Sequence, residues 1–342
     1  KFEKDCVLFP SKEGLMYIER LPLGLRDKGH LGSSYFTTPN PKPGVEFTYF
    51  LKEDAKKLKE KRKEREKKAY ENKEKVYYPS IDSLRMEDNQ ADPFLLLTIT
   101  DASGNVVRHL KTSAKKGMHR IKWDYRYAPF TPVQNRYTPG PDELFGSEDA
   151  GHLAMQGKNT ATLQKVEDGQ MTILGEAINF ECKLWNNGSL QTKDMATNVA
   201  FYQKVSNMIK SSHEMNDQLG SIESKLKNVQ ASVLDMPSQV KPWLEKIHSY
   251  SQEAANLKTS IFGDVTKARR EFETAPTFND RIGNIAYSLW NSTAAVPGAA
   301  AESLKIAEKQ FLMYQPQVSQ LHQKVESLIR DVEKAGGPYI GR

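Results

Sequence analysis

Asp92-Pro-Phe-Leu-Leu-Leu-Thr-Ile-Thr100, Asp101-Ala-Ser-Gly-Asn105, Val106-Val-Arg-His-Leu110 and Gly117-Met-His-Arg-Ile-Lys-Trp-Asp-Tyr-Arg-Tyr127 make up the stretch whose reading decides the fold. The first run is apolar and is bounded by Pro93 and by a turn-forming cluster of Asp, Ser, Gly and Asn, the pattern of a buried strand. The last run alternates. Ile121, Trp123, Tyr125 and Tyr127 share one face and Arg120, Lys122, Asp124 and Arg126 the other, so one face belongs in a core and one in water. Short strands joined by tight polar turns around a Trp predict an antiparallel immunoglobulin/fibronectin-like β-sandwich.

Working outward, Val45-Glu-Phe-Thr-Tyr-Phe-Leu51 alternates as the first strand of that sandwich. Residues 160–166, 170–174 and 177–185 supply its closing strands, with Glu167-Asp-Gly169 as a hairpin turn. Between them, residues 52–75 carry twelve basic and seven acidic side chains and almost no apolar stripe. Glu53/Lys57, Glu64/Lys68 and Glu71/Lys75 stand at the spacing that supports an exposed helix, so the block reads as a solvated helical insertion, with a phosphate- or lipid-binding arm as the alternative. The loop from 128 to 158 is rich in Pro, Gly and acidic residues. Upstream, 1–43 reads as a connector, the end of something that begins earlier. Its short apolar runs near 6–10 and 15–18 have no evident sheet neighbours, and Pro and Gly dominate the rest.

From Thr192 the period changes. Val205, Met208, Ser212, Met215, Leu219, Ile222, Leu226, Val229 and Val233 alternate three and four apart, and only Ser212 breaks the apolar stripe. Trp243, Ile247, Tyr250, Ala254, Leu257 and Ile261 repeat the rhythm, as do Leu304, Ala307, Phe311, Tyr314, Val318, Leu321, Val325, Leu328 and Val332. Three long helices of this kind, with a shorter piece from Phe278 to Trp290, predict an antiparallel long-helix bundle over 190–336, followed by a tail at 337–342. Pro316 should kink the last helix. The organisation expected is therefore α+β and multidomain: connector, sandwich over 44–186 with its charged insertion, bundle, tail.

The 342 residues carry a formal net charge of +6, concentrated in the 52–75 block, and no run of about eighteen apolar residues that would span a membrane. The two cysteines, Cys6 and Cys182, give neither a metal-ligand spacing nor a disulfide framework. The seven histidines (His30, His109, His119, His152, His213, His248 and His322) are scattered, with no pair at a ligand spacing. There is no nucleophile elbow, phosphate-cradling loop or dinucleotide fingerprint. Asp142, Glu143, Glu148 and Asp149 are the best local carboxylate cluster for glycoside hydrolysis, and acidic loop residues are more often simply solvated. Asn187 and Asn291 match the glycosylation pattern. No catalytic, cofactor-binding or metal residue is assigned, and no cofactor is expected. Nucleic acid is not the expected partner, because Tyr70 is the single aromatic within the charged block.

Leu8-Phe-Pro10, Met16-Tyr-Ile18, Pro39-Asn-Pro41, Gly44-Val-Glu-Phe-Thr-Tyr49, Tyr78-Pro79, Thr100-Asp-Ala-Ser-Gly-Asn-Val-Val-Arg108, Trp123-Asp-Tyr-Arg126 and the final Ala335-Gly-Gly-Pro-Tyr339 resemble the C-terminal region of Bacteroidota sortilin-like β-propeller proteins, which often carry a glycosyl hydrolase or neuraminidase-repeat label. The Asp-x-x-Gly-x-Val-Val-Arg hairpin and Trp-Asp are also similar to the immunoglobulin-like domain of flagellar hook capping proteins. The first resemblance implies a propeller before Lys1, with residues 1–20 as its last strand and exit. It also implies export to the periplasm, outer membrane surface or medium. It brings no catalytic residues to this region. The function expected is a non-catalytic structural and protein-interaction module of an envelope-associated protein. The alternative is an accessory carbohydrate-contacting region of a secreted glycoside hydrolase that has its catalytic site on the propeller.

Overall fold

The computed structural model describes residues 3–17, 34, 36, 38, 43–133, 136, 150–185, 194–237, 239–290 and 292–340. The chain divides into two compact units, Lys1–Ala128 with Ala150–Ser189, and Pro129–Asp149 with Leu190–Arg342.

In the first unit, β1 (Cys6–Leu8), β3 (Val45–Leu51) and β6 (Gly117–Trp123) form a three-stranded antiparallel sheet with β3 in the middle. A six-stranded sheet contains β2 (Gly14–Met16), β9 (Ile178–Leu184), β7 (Gly157–Glu167), β4 (Phe94–Asp101) and β5 (Val106–Thr112) in that order, and β8 (Gln170–Ile173) pairs with β7. Two helices, α1 (Leu58–Glu71) and α2 (Ile81–Asn89), lie between β3 and β4 in sequence. The alternation of β3 decides its orientation: Val45, Phe47, Tyr49 and Leu51 are buried. On β4, Leu95, Leu97 and Ile99 are fully buried. The hydroxyl of Thr98, on the opposite face, donates to Gln164 Oε1 at 2.7 Å and lies 3.0 Å from His109 Nδ1. Phe47 of the smaller sheet meets Phe180 of the larger edge to face at 5.1 Å, and Trp123 meets Phe180 at 6.1 Å, so aromatic rings fill the space between the sheets.

The hairpin turn at Asp168-Gly169 has both residues left-handed, φ 51° and 76°, as a two-residue turn between twisted antiparallel strands requires. The alternation expected through Tyr127 stops earlier. β6 ends at Trp123, whose indole N–H donates to the Arg126 carbonyl at 3.0 Å, and Tyr125 at φ 63° turns the chain. Tyr125 is buried, whereas Ile121 and Tyr127 are only half-buried.

Both short N-terminal runs find partners within the chain. β1 pairs with β3 antiparallel, and β2 pairs with β9 in parallel, Gly14 opposite Cys182. Gly14 has no room for a side chain: a Cβ there would stand 2.6 Å from Val45 Cγ2 and 2.7 Å from Tyr125 Cε1.

The second unit contains α3 (Met195–Leu234), α4 (Lys241–Phe262), α5 (Val265–Ala268), α6 (Phe278–Leu289) and α7 (Gly298–Lys334). Asp194 caps α3 by accepting from Ala196 N at 2.9 Å. Thr277 and Asp280 cap α6 reciprocally, at 3.2 and 3.0 Å. The stripe on α3 is buried apart from half-buried Met208, and it includes Ser212, whose hydroxyl donates to Asn279 Oδ1 at 3.0 Å. α7 runs through Pro316 without a break.

The predicted antiparallel immunoglobulin/fibronectin-like sandwich followed by an antiparallel long-helix bundle is overturned. The chain is a mixed α/β protein with seven helices among its described residues, a three-stranded sheet and a larger sheet curled into a half-barrel. Three findings carry the correction. The larger sheet includes a parallel edge pair, β2 with β9. Two of the helices belong to the β-rich unit. In the helical unit, α4 has 22 residues against 40 in α3, so a second helix, α6, covers what α4 does not reach. Ile285 and Leu289 of α6 pack with Tyr202 and Val205 of α3 and Leu304 of α7 in a core cluster separate from the main one. The heptad pattern records which side chains are buried and is silent on how long each partner helix is.

Residues 337–340, the described part of what reads as a tail, turn back onto the helices. Gly336 N donates to Glu333 O at 3.2 Å and Gly337 N to Val332 O at 3.0 Å, a Schellman ending for α7 with Gly336 at φ 93°. Ser232 Oγ then donates to Pro338 O at 2.9 Å, and Ile340 is buried in the main core at 4% exposure.

Candidate interaction surface

α1 is built almost entirely from strong helix formers, and none of its residues is buried. An exposed helix of this length is marginal alone, so something must hold it. Polar contacts do so. At its start the Glu60 carboxylate accepts Lys57 N at 3.0 Å, and the Gln90 side chain accepts Leu58 N at 2.7 Å while donating to Asp168 Oδ2 at 3.0 Å. One turn on, Arg62 makes a two-pronged pair with Glu87 of α2, Nε to Oε1 at 2.6 Å and Nη2 to Oε2 at 2.9 Å. Its Nη1 donates to Glu66 at 2.7 Å. Lys57 pairs with Asp92 at 2.6 Å, and Lys61 and Lys165 both reach Glu167, at 3.0 and 2.7 Å.

The charged block is an exposed helix, and it is in addition clasped to α2 and to the β7–β8 turn, contacts that its sequence pattern did not indicate. The lysines and glutamates at helical spacing are used differently as well: Lys57 goes to Asp92 and Glu64 to Lys56. Hydrogen bonding to Arg62 holds the Glu87 carboxyl below its ordinary range and raises the guanidinium. Lys57 does the same to Asp92, and Lys165 followed by Lys61 to Glu167.

Beyond this clasp the two helices continue to a tip at residues 72–80. At about 1.5 Å per residue, Tyr70 lies about 12 Å past Arg62 along α1, and Ile81 about 9 Å from Glu87 along α2. α1 ends in another Schellman arrangement, with Lys73 N donating to Tyr70 O at 3.0 Å and Glu74 N to Ala69 O at 2.8 Å. Here Lys73, not a glycine, occupies the left-handed position at φ 59°. Ser80 caps α2 by accepting from Ser83 N at 3.2 Å. Tyr70, Tyr77 and Tyr78 are 80, 78 and 85% exposed, and Val76, Ile81 and Met86 are exposed beside them in sequence. Lys67, Lys68, Lys73 and Lys75 are exposed too, and none of the four makes an ion pair among the described residues. Tyr77 and Tyr78 were the aromatics that counting within 52–75 missed. The readable signal was Val76-Tyr-Tyr-Pro79 itself, an apolar run flanked by Lys75 and by the Ser80 cap with no strand partner in its pattern.

Two of the clefts among the described residues of the β-rich unit carry polar linings of mixed charge. One of about 830 Å³ lies beside the start of α1 and is lined by Lys56, Lys57, Asp92, Phe94, Lys111 and Ser113 among others; Lys57 and Lys56 are already paired there, and Lys111 sits 4.7 Å over the Phe94 ring. The other, about 570 Å³, is lined by Ser11, Glu13, Lys158, Asn159, Asn179 and Glu181 among others, and Glu13 is paired with Lys183 at 2.7 Å.

Asp142, Glu143, Glu148, Asp149, Asn187, Asn291 and His30 lie outside the described residues. His119 stacks on Tyr49 at 5.2 Å, His152 is buried against Tyr127 at 4.6 Å, and His322 is 3.9 Å from Glu326. The structure brings none of these rings together. Among the described residues no three His, Cys, Asp or Glu side chains are placed to share a metal ion. Cys6 and Cys182 are free and buried; burial raises both thiols, Cys182 to about 12. No described helix is long and apolar enough to cross a membrane. Compared with family models, curated proteins and solved structures, the chain matches none.

Proposed function

We propose that this chain is a non-catalytic structural and interaction module of a larger exported, envelope-associated protein, as its resemblance to the region following sortilin-like propellers implies. The observation that supports this reading is the α1–α2 hairpin: a charged helix fixed at its base by a part-buried Arg62–Glu87 pair, ending in a tip of exposed tyrosines and lysines. Large exposed side chains on a fixed support are what a contact element needs, because little ordering is left to be done when the partner arrives. Limited trypsin digestion tests the reading. In purified protein, cleavage at Lys73 and Lys75 should be fast. In the envelope fraction of cells that make the protein, the same bonds should be protected, and equal cleavage rates would refute an engaged hairpin.

A carbohydrate-contacting accessory role is the second reading. It is favoured by Trp185, more than half exposed and set edge-on to Tyr17 at 6.0 Å, just past the end of β9, the strand that nearer its start supplies Asn179 and Glu181 to the cleft. Indole fluorescence during titration with oligosaccharides checks it, and an unchanged spectrum would remove it.

A further inference from the structure

We propose that the hairpin tip docks on an anionic lipid surface, with the lysines held at the headgroups and Val76, Tyr77, Tyr78 and Ile81 entering the interface. This rests on the interaction reading above and names its partner. Three features favour lipid. Residues 52–75 hold twelve basic and seven acidic side chains, so nearly all of the chain's +6 charge sits on one element. Glu60, Glu64 and Glu66 are spent on contacts inside the hairpin, and Asp82 is paired with Arg85 at 2.9 Å, which leaves Glu71 and Glu74 as the acidic neighbours in sequence of Lys67 and Lys68, just before the tip, and of Lys73 and Lys75 within it.

From residue 67 to 81 the basic groups are all lysines, compact hydrated charges suited to a diffuse anionic surface. The arginine that forms planar two-pronged pairs, Arg62, is already used at the base. Val76 and Ile81 stand among the tyrosines. Branched aliphatic side chains give a nucleic-acid base nothing to stack on, whereas tyrosines with aliphatics suit the boundary between headgroups and acyl chains. α1 itself has no apolar face, so the contact is made by the tip and not by a helix lying flat.

Vesicle co-sedimentation of the whole chain is the test. Phosphatidylcholine vesicles are compared with vesicles that also contain phosphatidylglycerol, with single-stranded poly-uridylate as a separate probe. Binding should require phosphatidylglycerol and weaken with salt. Replacing Lys67 and Lys68 by Gln should cut it about thirtyfold, since each lysine near such a surface is worth about a factor of five. Tyr77→Ser with Tyr78→Ser should weaken it further. All four positions are exposed, so circular dichroism should be unchanged. Equal binding to both vesicle types, no binding to either, or binding unchanged by these substitutions overturns the proposal. So does tyrosine-dependent binding to poly-uridylate in place of vesicles. If vesicles fail while the tip is still protected from trypsin in the envelope fraction, only the lipid partner falls; if protection is also absent, the interaction reading falls with it.

Discussion

Replacing Ile340 by Ala should weaken the helical unit as the loss of a core side chain does. Ile340 is 4% exposed and belongs to the main helical core. The turn that brings it there is fixed by Gly336, by Ser232 donating to Pro338 and by Ile340 N donating to Glu333 Oε1 at 3.2 Å. The substitution removes three carbons from a buried site, about 2.4 kcal/mol at about 0.8 kcal/mol for each, before any cavity term. The transfer loss alone sets the expectation near the low end of the usual range for such truncations, about 2–3 kcal/mol. For a unit of roughly 150 residues that is a fall in Tm of about 5–10 °C. Thermal melts of the whole chain followed at 222 nm report the helices, and Tyr339→Ala, which truncates an exposed neighbour, serves as the control. A shift for Ile340→Ala no larger than that of Tyr339→Ala would show that the last residues contribute no core and that the docked turn is wrong.

Gly14→Ala should destabilise the β-rich unit by about 1–3 kcal/mol, because its Cβ meets Val45 and Tyr125 at under 3 Å; an unchanged denaturation midpoint would remove the β2–β9 pairing. Acid should loosen the hairpin. Glu87, Asp92 and Glu167 have depressed carboxyl pKa values, so their contribution is complete above the ordinary values of 4.5 and 3.8 and is lost as pH falls through the lower folded-state ones. Hydrogen exchange of α1 amides, corrected for the intrinsic pH dependence, should rise below about pH 4.5, and flat protection down to about pH 2 would contradict the clasp. Cys6 and Cys182 should react with a disulfide reagent only as the chain opens, Cys182 more slowly, since burial keeps both protonated at neutral pH; two thiols reacting immediately in the folded protein would contradict their placement.

Much of what was legible in the sequence was local. The alternation of Val45 to Leu51 settled which side chains of β3 point inward, the Asp168-Gly169 pair placed its hairpin, and the three-and-four spacing from Val205 to Val233 marked the buried stripe of α3. Each is a property of residues a few positions apart, where backbone geometry fixes the period. Pairings between distant residues were not legible, and these decided the architecture. Nothing in Gly14-Leu-Met16 names Cys182 and its neighbours as a parallel partner, and nothing in the heptads says that α4 stops after 22 residues and yields to α6. The hairpin shows the same division. Its helix was readable as a charged block over 52–75, but its bounds, Leu58–Glu71, and the pairing of Arg62 with Glu87 needed the structure. The exposure of Tyr77 and Tyr78 needed the absence of any surface packed over them. Sequence by itself determined the periodicities, the charge of 52–75 and the turn chemistry. Only the tertiary structure decided which strands join, which helices share a core and which tyrosines are left facing water, because burial and pairing are set by contacts between segments whose spacing along the chain carries no record of them.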